Sequence, residues 1–262
     1  MEWKELLVPA LILGGIGLFF GALLAFAGIV FRVKKDERIP LIEETLPGAN
    51  CGGCGYAGCA AYAEAVASGE ADCDKCTVGG AQVADYIAGI MGKKSEFVRK
   101  YAFIGCVSGA SERYIYEGAP DCAYAAMLVG GLKTCTYGCI GLGNCVKVCP
   151  TGALSLIDGV PVVNRDMCTG CGACKRACPR GLIDVIPEKA KIAVCCNSQD
   201  KAVYMRTTCA DGCIGCGKCA KMCPQEDAIT ITNNLAKIDY DKCVACGKCV
   251  EACPRHIIRY VE

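Results

Sequence analysis

Histidine is almost absent: His256 is the only one in 262 residues. Most zinc and haem chemistry built on imidazole is thereby excluded, and no C-x-x-C-H haem-attachment motif occurs. Aromatic residues make up 7% of the chain, so its polar part has few large side chains from which to build a core. The net charge is +1, which gives no bulk field for nucleic acid. No G-x-G-x-x-G follows a predicted strand, and there is no Walker motif. The glycines between Gly14 and Gly21 lie in an apolar run where no nucleotide can bind. Neither NAD nor a flavin is expected on this chain, and no acid–base pair suggests a catalytic site.

Cysteine, by contrast, is abundant, with 26 residues. Such a fraction is normal only in small secreted disulfide scaffolds. Here the cysteines come in short C-x-x-C runs, some followed by proline, and that spacing suits metal clusters better than disulfides. Thiolate ligation needs reduced cysteines, which points to the cytoplasm. Metal–thiolate bonds would also cross-link short loops and so replace part of the missing core.

The residues from Leu6 to Phe31 carry no charge, a stretch long enough to span a bilayer. The stretch is too long for a signal peptide, and Glu2 and Glu5 offset Lys4 ahead of it, although Ala25-Phe26-Ala27 resembles a cleavage site. Arg32, Lys34, Lys35 and Arg38 follow, and the positive-inside rule then places everything after Phe31 in the cytoplasm. Gly14, Gly21 and Gly28, with Gly17 in G-x-x-x-G spacing, predict a helix face that packs against membrane partners. Pro40 to Asn50 reads as a linker. Helices are expected over Ala60–Ala67 and Gly80–Met91.

From about residue 101 the chain repeats itself. Cys135, Cys139, Cys145 and Cys149 match Cys209, Cys213, Cys219 and Cys223 at an offset of 74. Cys168, Cys171, Cys174 and Cys178 match Cys243, Cys246, Cys249 and Cys253 at 75. Each repeat contains a hairpin signal: Ala153–Ile157, Asp158-Gly159, Val160–Val163 in the first, and Ala228–Thr232, Asn233-Asn234, Leu235–Ile238 in the second.

The second repeat carries the bacterial two-cluster ferredoxin run, C-x2-C-x2-C-x3-C-P twice over. Three thiolates on one tight loop cap three corners of a cubane, and the fourth cysteine serves the other cube. Cys213, Cys216, Cys219 and Cys253 form one set, and Cys243, Cys246, Cys249 and Cys223 the other. The first repeat supplies Cys168, Cys171, Cys174 and Cys149. Its other set has Cys139, Cys145 and Cys178, but Leu142 stands where the second cysteine belongs. Cys135, four residues before Cys139, is expected to fill that corner, and its counterpart Cys209 to be dispensable. A fifth group, Cys51-x2-Cys54-x4-Cys59 followed by Cys76, sits among glycines that can wrap a cluster and aim N–H groups at sulfide. Spacing alone leaves zinc as its competitor. Cys73, Cys106, Cys122, Cys195, Cys196 and Cys209 are expected to be buried thiols, with Cys73 a substitute for Cys76 by spacing.

The stretch Leu46–Tyr62 with Cys76-x2-Gly-Gly resembles the N-terminal cluster domain of the B subunit of the Rnf complex. The anchor before it and the ferredoxin repeats after it resemble the longer, clostridial-type form. The resemblance implies Cys51, Cys54, Cys59 and Cys76 as ligands of the N-terminal cluster. It further implies a membrane complex that passes electrons from reduced ferredoxin to NAD and couples this to Na+ or H+ export, with this subunit receiving the ferredoxin electrons. The fold class expected is α+β: a single transmembrane helix, a small helical [4Fe–4S] domain and two bacterial two-cluster ferredoxin-like domains. The expected divisions are 1–38, 39–100, 101–190 and 191–262. Five [4Fe–4S] clusters are expected, with other complex subunits, soluble ferredoxin and the bilayer as partners and no nucleic acid. The competing functions are a relay that keeps an iron–sulfur transcription factor reduced, and a polyferredoxin arm of another membrane reductase.

Overall fold

The computed structural model describes residues 3–30, 36–107 and 110–261. Helix α1 (Trp3–Val30) contains the one stretch among the described residues that is long and apolar enough to cross a membrane, Ile12–Ile29, with mean hydropathy 2.2. None of that stretch is buried within the chain. A Cβ added at Gly14, Gly17, Gly21 or Gly28 would meet nothing within 4 Å, so among the described residues nothing packs against their face. Arg32, Lys34 and Lys35 lie outside the described residues.

The expected linker opens instead with a helix, α2 (Arg38–Thr45). Pro40 falls in its first turn, where the missing N–H costs no hydrogen bond. The helix is held by Ile42, which is fully buried in a core with Tyr62, Val66 and Ile87. Arg38 pairs with Asp36 and donates to the Ala67 carbonyl at 3.0 Å. Helices α3 (Cys59–Ala67) and α4 (Gly80–Met91) complete this unit where the sequence predicted them.

The two repeats share one plan. In the first, strand β1 (Lys100–Ile104) is followed by helices α5 (Cys122–Met127) and α6 (Asn144–Lys147) and the hairpin β2 (Leu154–Ile157) and β3 (Val160–Val163). Helix α7 (Ala173–Ala177) and strand β4 (Ile183–Pro187) close it. In the second, β5 (Ile192–Val194), α8 (Ala202–Thr208) and α9 (Lys218–Met222) precede the hairpin β6 (Ile229–Thr232) and β7 (Leu235–Ile238). Helix α10 (Lys248–Ala252) and β8 (Ile258–Tyr260) follow. The first strand of each repeat pairs antiparallel with its last, β1 with β4 and β5 with β8. Both hairpins turn on residues with positive φ at both centres: Asp158 and Gly159 at 49° and 71°, Asn233 and Asn234 at 49° and 61°. That is the primed turn whose twist suits tight hairpins.

Strand alternation sorts the side chains. Ala102 and Ile104 face the apolar interior between the cysteine loops, while Tyr101 faces a second core with Ile186, Ala190 and Ala193. Ile192 and Val194 do in the second repeat what Ala102 and Ile104 do in the first.

Candidate metal centres

The N-terminal loop brings Cys51, Cys54, Cys59 and Cys76 around one cavity of about 340 Å³. Two side chains hold that loop. Asn50 accepts a hydrogen bond from the Cys59 amide at 2.8 Å, tying the first thiols to the start of α3. Tyr62, 1% exposed, donates to the Asp72 carbonyl at 2.8 Å and accepts from the Lys75 amide at 3.2 Å. It thereby fixes the turn that delivers Cys76. Burial raises the Cys76 pKa first, and the neighbouring Cys54, Cys59 and Cys51 thiols raise it further. Cys73 does not replace it: it lies outside that cavity, and the charged groups nearest its thiol are Lys93, Asp74 and Asp72.

In the second repeat Cys213, Cys216, Cys219 and Cys253 line a cavity of about 330 Å³, and burial pushes the Cys219 thiol up to about 11. Cys249 has Cys243, Cys246 and Cys223 as its neighbouring thiols. Glycine is required in the first of these loops. Gly215 has φ of 61°, and a Cβ there would stand 2.8 Å from the carbonyl oxygen of Asn234 in the hairpin turn.

In the first repeat one apolar cluster takes in Cys149, Cys168 and Cys174 together with Cys106, Cys139, Cys145 and Cys178, and Cys174 is raised to about 11 by burial, with Cys168 and Cys171 beside it. Cys149 differs. Burial acts to raise its pKa, but the Thr151 hydroxyl and the amides of Thr151, Ala153 and Leu154 outweigh it, so the net direction is down. Such donors stabilise a thiolate.

The remaining cavity of this repeat, about 380 Å³, is lined by Cys139, Cys145 and Cys178 with Cys122 rather than Cys135. Cys122 opens α5, whose N-cap Asp121 accepts from the Ala123 and Tyr124 amides. Leu142 turns into a small core with Cys122, Ala125, Leu132 and Ile140. The loop between β1 and Cys135 is thus long enough to carry a thiol into the corner that Leu142 leaves open. Cys135 lines a different cavity, with Cys106, Cys195, Cys196 and Cys209. No spacing rule identifies Cys122; the signal that could have found it is the capping Asp121 immediately before it.

The donor sets fit iron–sulfur clusters. In three of the sets the thiols surround open volumes of similar size, and among the described residues no three Cys, His, Asp or Glu side chains converge as a single metal ion would need. Two basic residues beside the cysteine loops are used within the chain. Lys175 pairs with Asp184 at 2.6 Å, and Arg176 donates to the Cys51 carbonyl at 2.9 Å and the Cys171 carbonyl at 3.3 Å. Lys218 and Lys221 are exposed.

Comparison with known proteins agrees with this layout. Residues 46–78 match a family described as "Putative Fe-S cluster", and residues 135–183 and 206–260 match two families of 4Fe-4S dicluster domains. The B subunit of the Na(+)-translocating ferredoxin:NAD(+) oxidoreductase complex of Acetobacterium woodii is 46% identical over 91% of this chain and 73% of its own length. The chain belongs to the family of Rnf B subunits. Another member, the B subunit of the ion-translocating oxidoreductase complex of Methanosarcina acetivorans, is 44% identical over 88% of this chain and 89% of its own. The B subunit of the proton-translocating ferredoxin:NAD(+) oxidoreductase complex of Clostridium ljungdahlii is 45% identical over 86% and 81%. Likeness to the Rnf family thus extends across most of the chain.

Proposed function

We propose that this chain is the electron-transfer subunit of a membrane complex that oxidises ferredoxin, reduces NAD and exports Na+ or H+. Its relatives carry that activity in their names. A [4Fe–4S] cluster, when bound, supplies one-electron chemistry at low potential. The chain's own residues hold five such sites: Cys51, Cys54, Cys59, Cys76; Cys168, Cys171, Cys174, Cys149; Cys139, Cys145, Cys178, Cys122; Cys213, Cys216, Cys219, Cys253; and Cys243, Cys246, Cys249, Cys223.

The observation that carries this reading is that neighbouring sites touch. Arg176 bonds to the carbonyls of Cys51 and Cys171, and a Cβ at Gly53 would lie 2.9 Å from the Cys171 carbonyl oxygen. The N-terminal loop is therefore seated on the ligand loop of the first repeat. Cys145 in turn is among the thiols that act on Cys174. Loops held together in this way set the proposed sites side by side, as electron hopping requires.

The soluble part faces the cytoplasm, α1 anchors it beside other subunits, and reduced ferredoxin is the donor. Lys218 and Lys221 offer an acidic ferredoxin its charge complement. The test is anaerobic purification in detergent, followed by metal analysis and mixing with reduced ferredoxin. About twenty or more irons per chain, and bleaching of the visible absorbance that slows as salt rises, are expected. Stoichiometric zinc with little iron would overturn the reading. Protease added to intact cells should leave everything after Phe31 uncut; digestion from outside would reverse the orientation.

A further inference from the structure

The cavity that contains Cys135 is the same size as the cluster sites, about 370 Å³, yet it belongs to no ferredoxin motif. It lies where the two repeats meet. Thr134 donates through Oγ1 to the Thr208 carbonyl at 2.7 Å, and these two residues are repeat equivalents. Cys135 and Cys209 follow them directly, so that contact sets the two cysteines against each other. Arg255 holds the second loop by donating to the Cys209 carbonyl at 2.7 Å and the Gly212 carbonyl at 3.2 Å.

The other two thiols are also equivalents. Gly105 donates its amide to Leu182 at 2.8 Å, and Cys195 donates its amide to Ile257 at 2.7 Å, which aligns the ends of β1 and β5. One residue further on, Cys106 matches Cys196. Both continue the inward faces of their strands, Ala102, Ile104, Cys106 and Ile192, Val194, Cys196. Cys195 also borders the cavity, but it follows Ala193 on the opposite face of its strand. Each repeat therefore contributes one cysteine from the end of its first strand and one from the start of its motif.

From this juxtaposition we propose that Cys106, Cys135, Cys196 and Cys209 bind a sixth [4Fe–4S] cluster, shared between the two ferredoxin units. The thiols are mutual neighbours. Burial raises the Cys135 pKa, with Cys209 and Cys106 adding to it; for Cys209 burial again comes first, and Cys106 adds. Loading replaces four S–H bonds with four Fe–S bonds and releases four protons.

The position gives the site its purpose. Cys139, a ligand of the first repeat, lines the same cavity, and after burial it is Cys106 that does most to raise its pKa. On the other side the amide of Cys213, a ligand of the second repeat, donates to the Cys196 sulfur at 3.3 Å, and the Ser198 amide donates to it at 3.5 Å. The shared site would thus join two pairs of clusters into one continuous wire. Each transfer moves one electron between neighbouring sites and needs no proton or co-reactant.

The inference rests on the iron–sulfur reading above, and iron counting on the full chain separates the two. The chain should hold about twenty-four irons rather than about twenty. Cys106→Ser and Cys209→Ser should each lower iron by about four, or yield a three-iron EPR signal, with the other signals kept. Cys195→Ser should leave iron and spectrum unchanged. About twenty irons in the unaltered chain, or full iron and an unaltered spectrum in both Cys106→Ser and Cys209→Ser, would overturn the sixth cluster and leave the five-site reading standing. Zinc in place of iron would remove both.

Discussion

Asn144 accepts a hydrogen bond from the Cys122 amide at 3.0 Å and, through Nδ2, donates to Asp121 at 3.0 Å. One side chain thus clamps the start of α5 to the start of α6 and sets Cys122 beside Cys145. The prediction is that Cys122→Ser costs the site its fourth iron or the whole cluster. Leu142→Cys in the same protein should restore it, because the second repeat places Cys216 at that position. Iron counting and EPR decide; a Cys122→Ser chain with full iron and an unaltered spectrum would remove Cys122 from the ligand set.

The same clamp has a pH signature. The Asn144 hydrogen bond, then the Tyr124 amide, hold the Asp121 carboxyl below its ordinary pKa. A depressed carboxylate contributes stability that is present above the unfolded pKa, about 3.9, and is lost as pH falls through the folded value. Asp121→Ala should therefore release iron from this site faster at neutral pH, and the difference from the unaltered chain should vanish in acid below that range. Chelator capture of released iron measures it, and an equal gap at every pH would count against the carboxylate's role.

Tyr62→Phe keeps the buried ring and removes the hydroxyl that serves Asp72 and Lys75. Leaving those backbone groups unpaired should cost about 1–3 kcal/mol. The N-terminal site should become the first to lose iron to a chelator. Unchanged urea stability and unchanged iron release would show that Cys76 is held by other means.

Gly53→Val should act on the contact between domains. Its Cβ would meet backbone atoms of Cys171, which cannot swing aside as a flexible side chain can. A strain of about 1–3 kcal/mol is expected, with iron content kept and magnetic coupling between the two adjoining sites weakened. Arg176→Ala should do the same through its lost bonds to Cys51 and Cys171, without altering the salt dependence of reduction by ferredoxin. EPR of the reduced protein and a salt series distinguish these outcomes.

Much of the fold was legible because turn chemistry is local. Asp158-Gly159 and Asn233-Asn234 announce their hairpins, since few residue pairs tolerate positive φ twice in succession. The ferredoxin ligand sets proposed above rest on the same locality: three thiols on one loop have a fixed spacing. What escaped the sequence depends on distance along the chain. Cys122 reaches its site through a helix cap and a clamp from Asn144, while Cys135, closer in sequence to Cys139, faces elsewhere. Cys106 and Cys196 become equivalent only once β1 has paired with β4 and β5 with β8. The linker reading of Pro40 failed because the burial of Ile42 outweighs the local hint of a break.

The closing of each repeat by its last strand and last cysteine sets an order on synthesis. The set that begins at Cys213 needs Cys253, and β5 needs Ile258–Tyr260. A nascent chain that has passed Cys219 still offers only three thiols there. The N-terminal unit has its four thiols before α4 is complete, although Arg176 reaches Cys51 only later, and it can be loaded while the ribosome is still at work. The second ferredoxin unit must wait until Ile258 has emerged from the exit tunnel. On the proposed ligand sets, iron delivery would therefore be staged from the N-terminal end, and a pause late in translation would leave one end of the wire finished and the other bare.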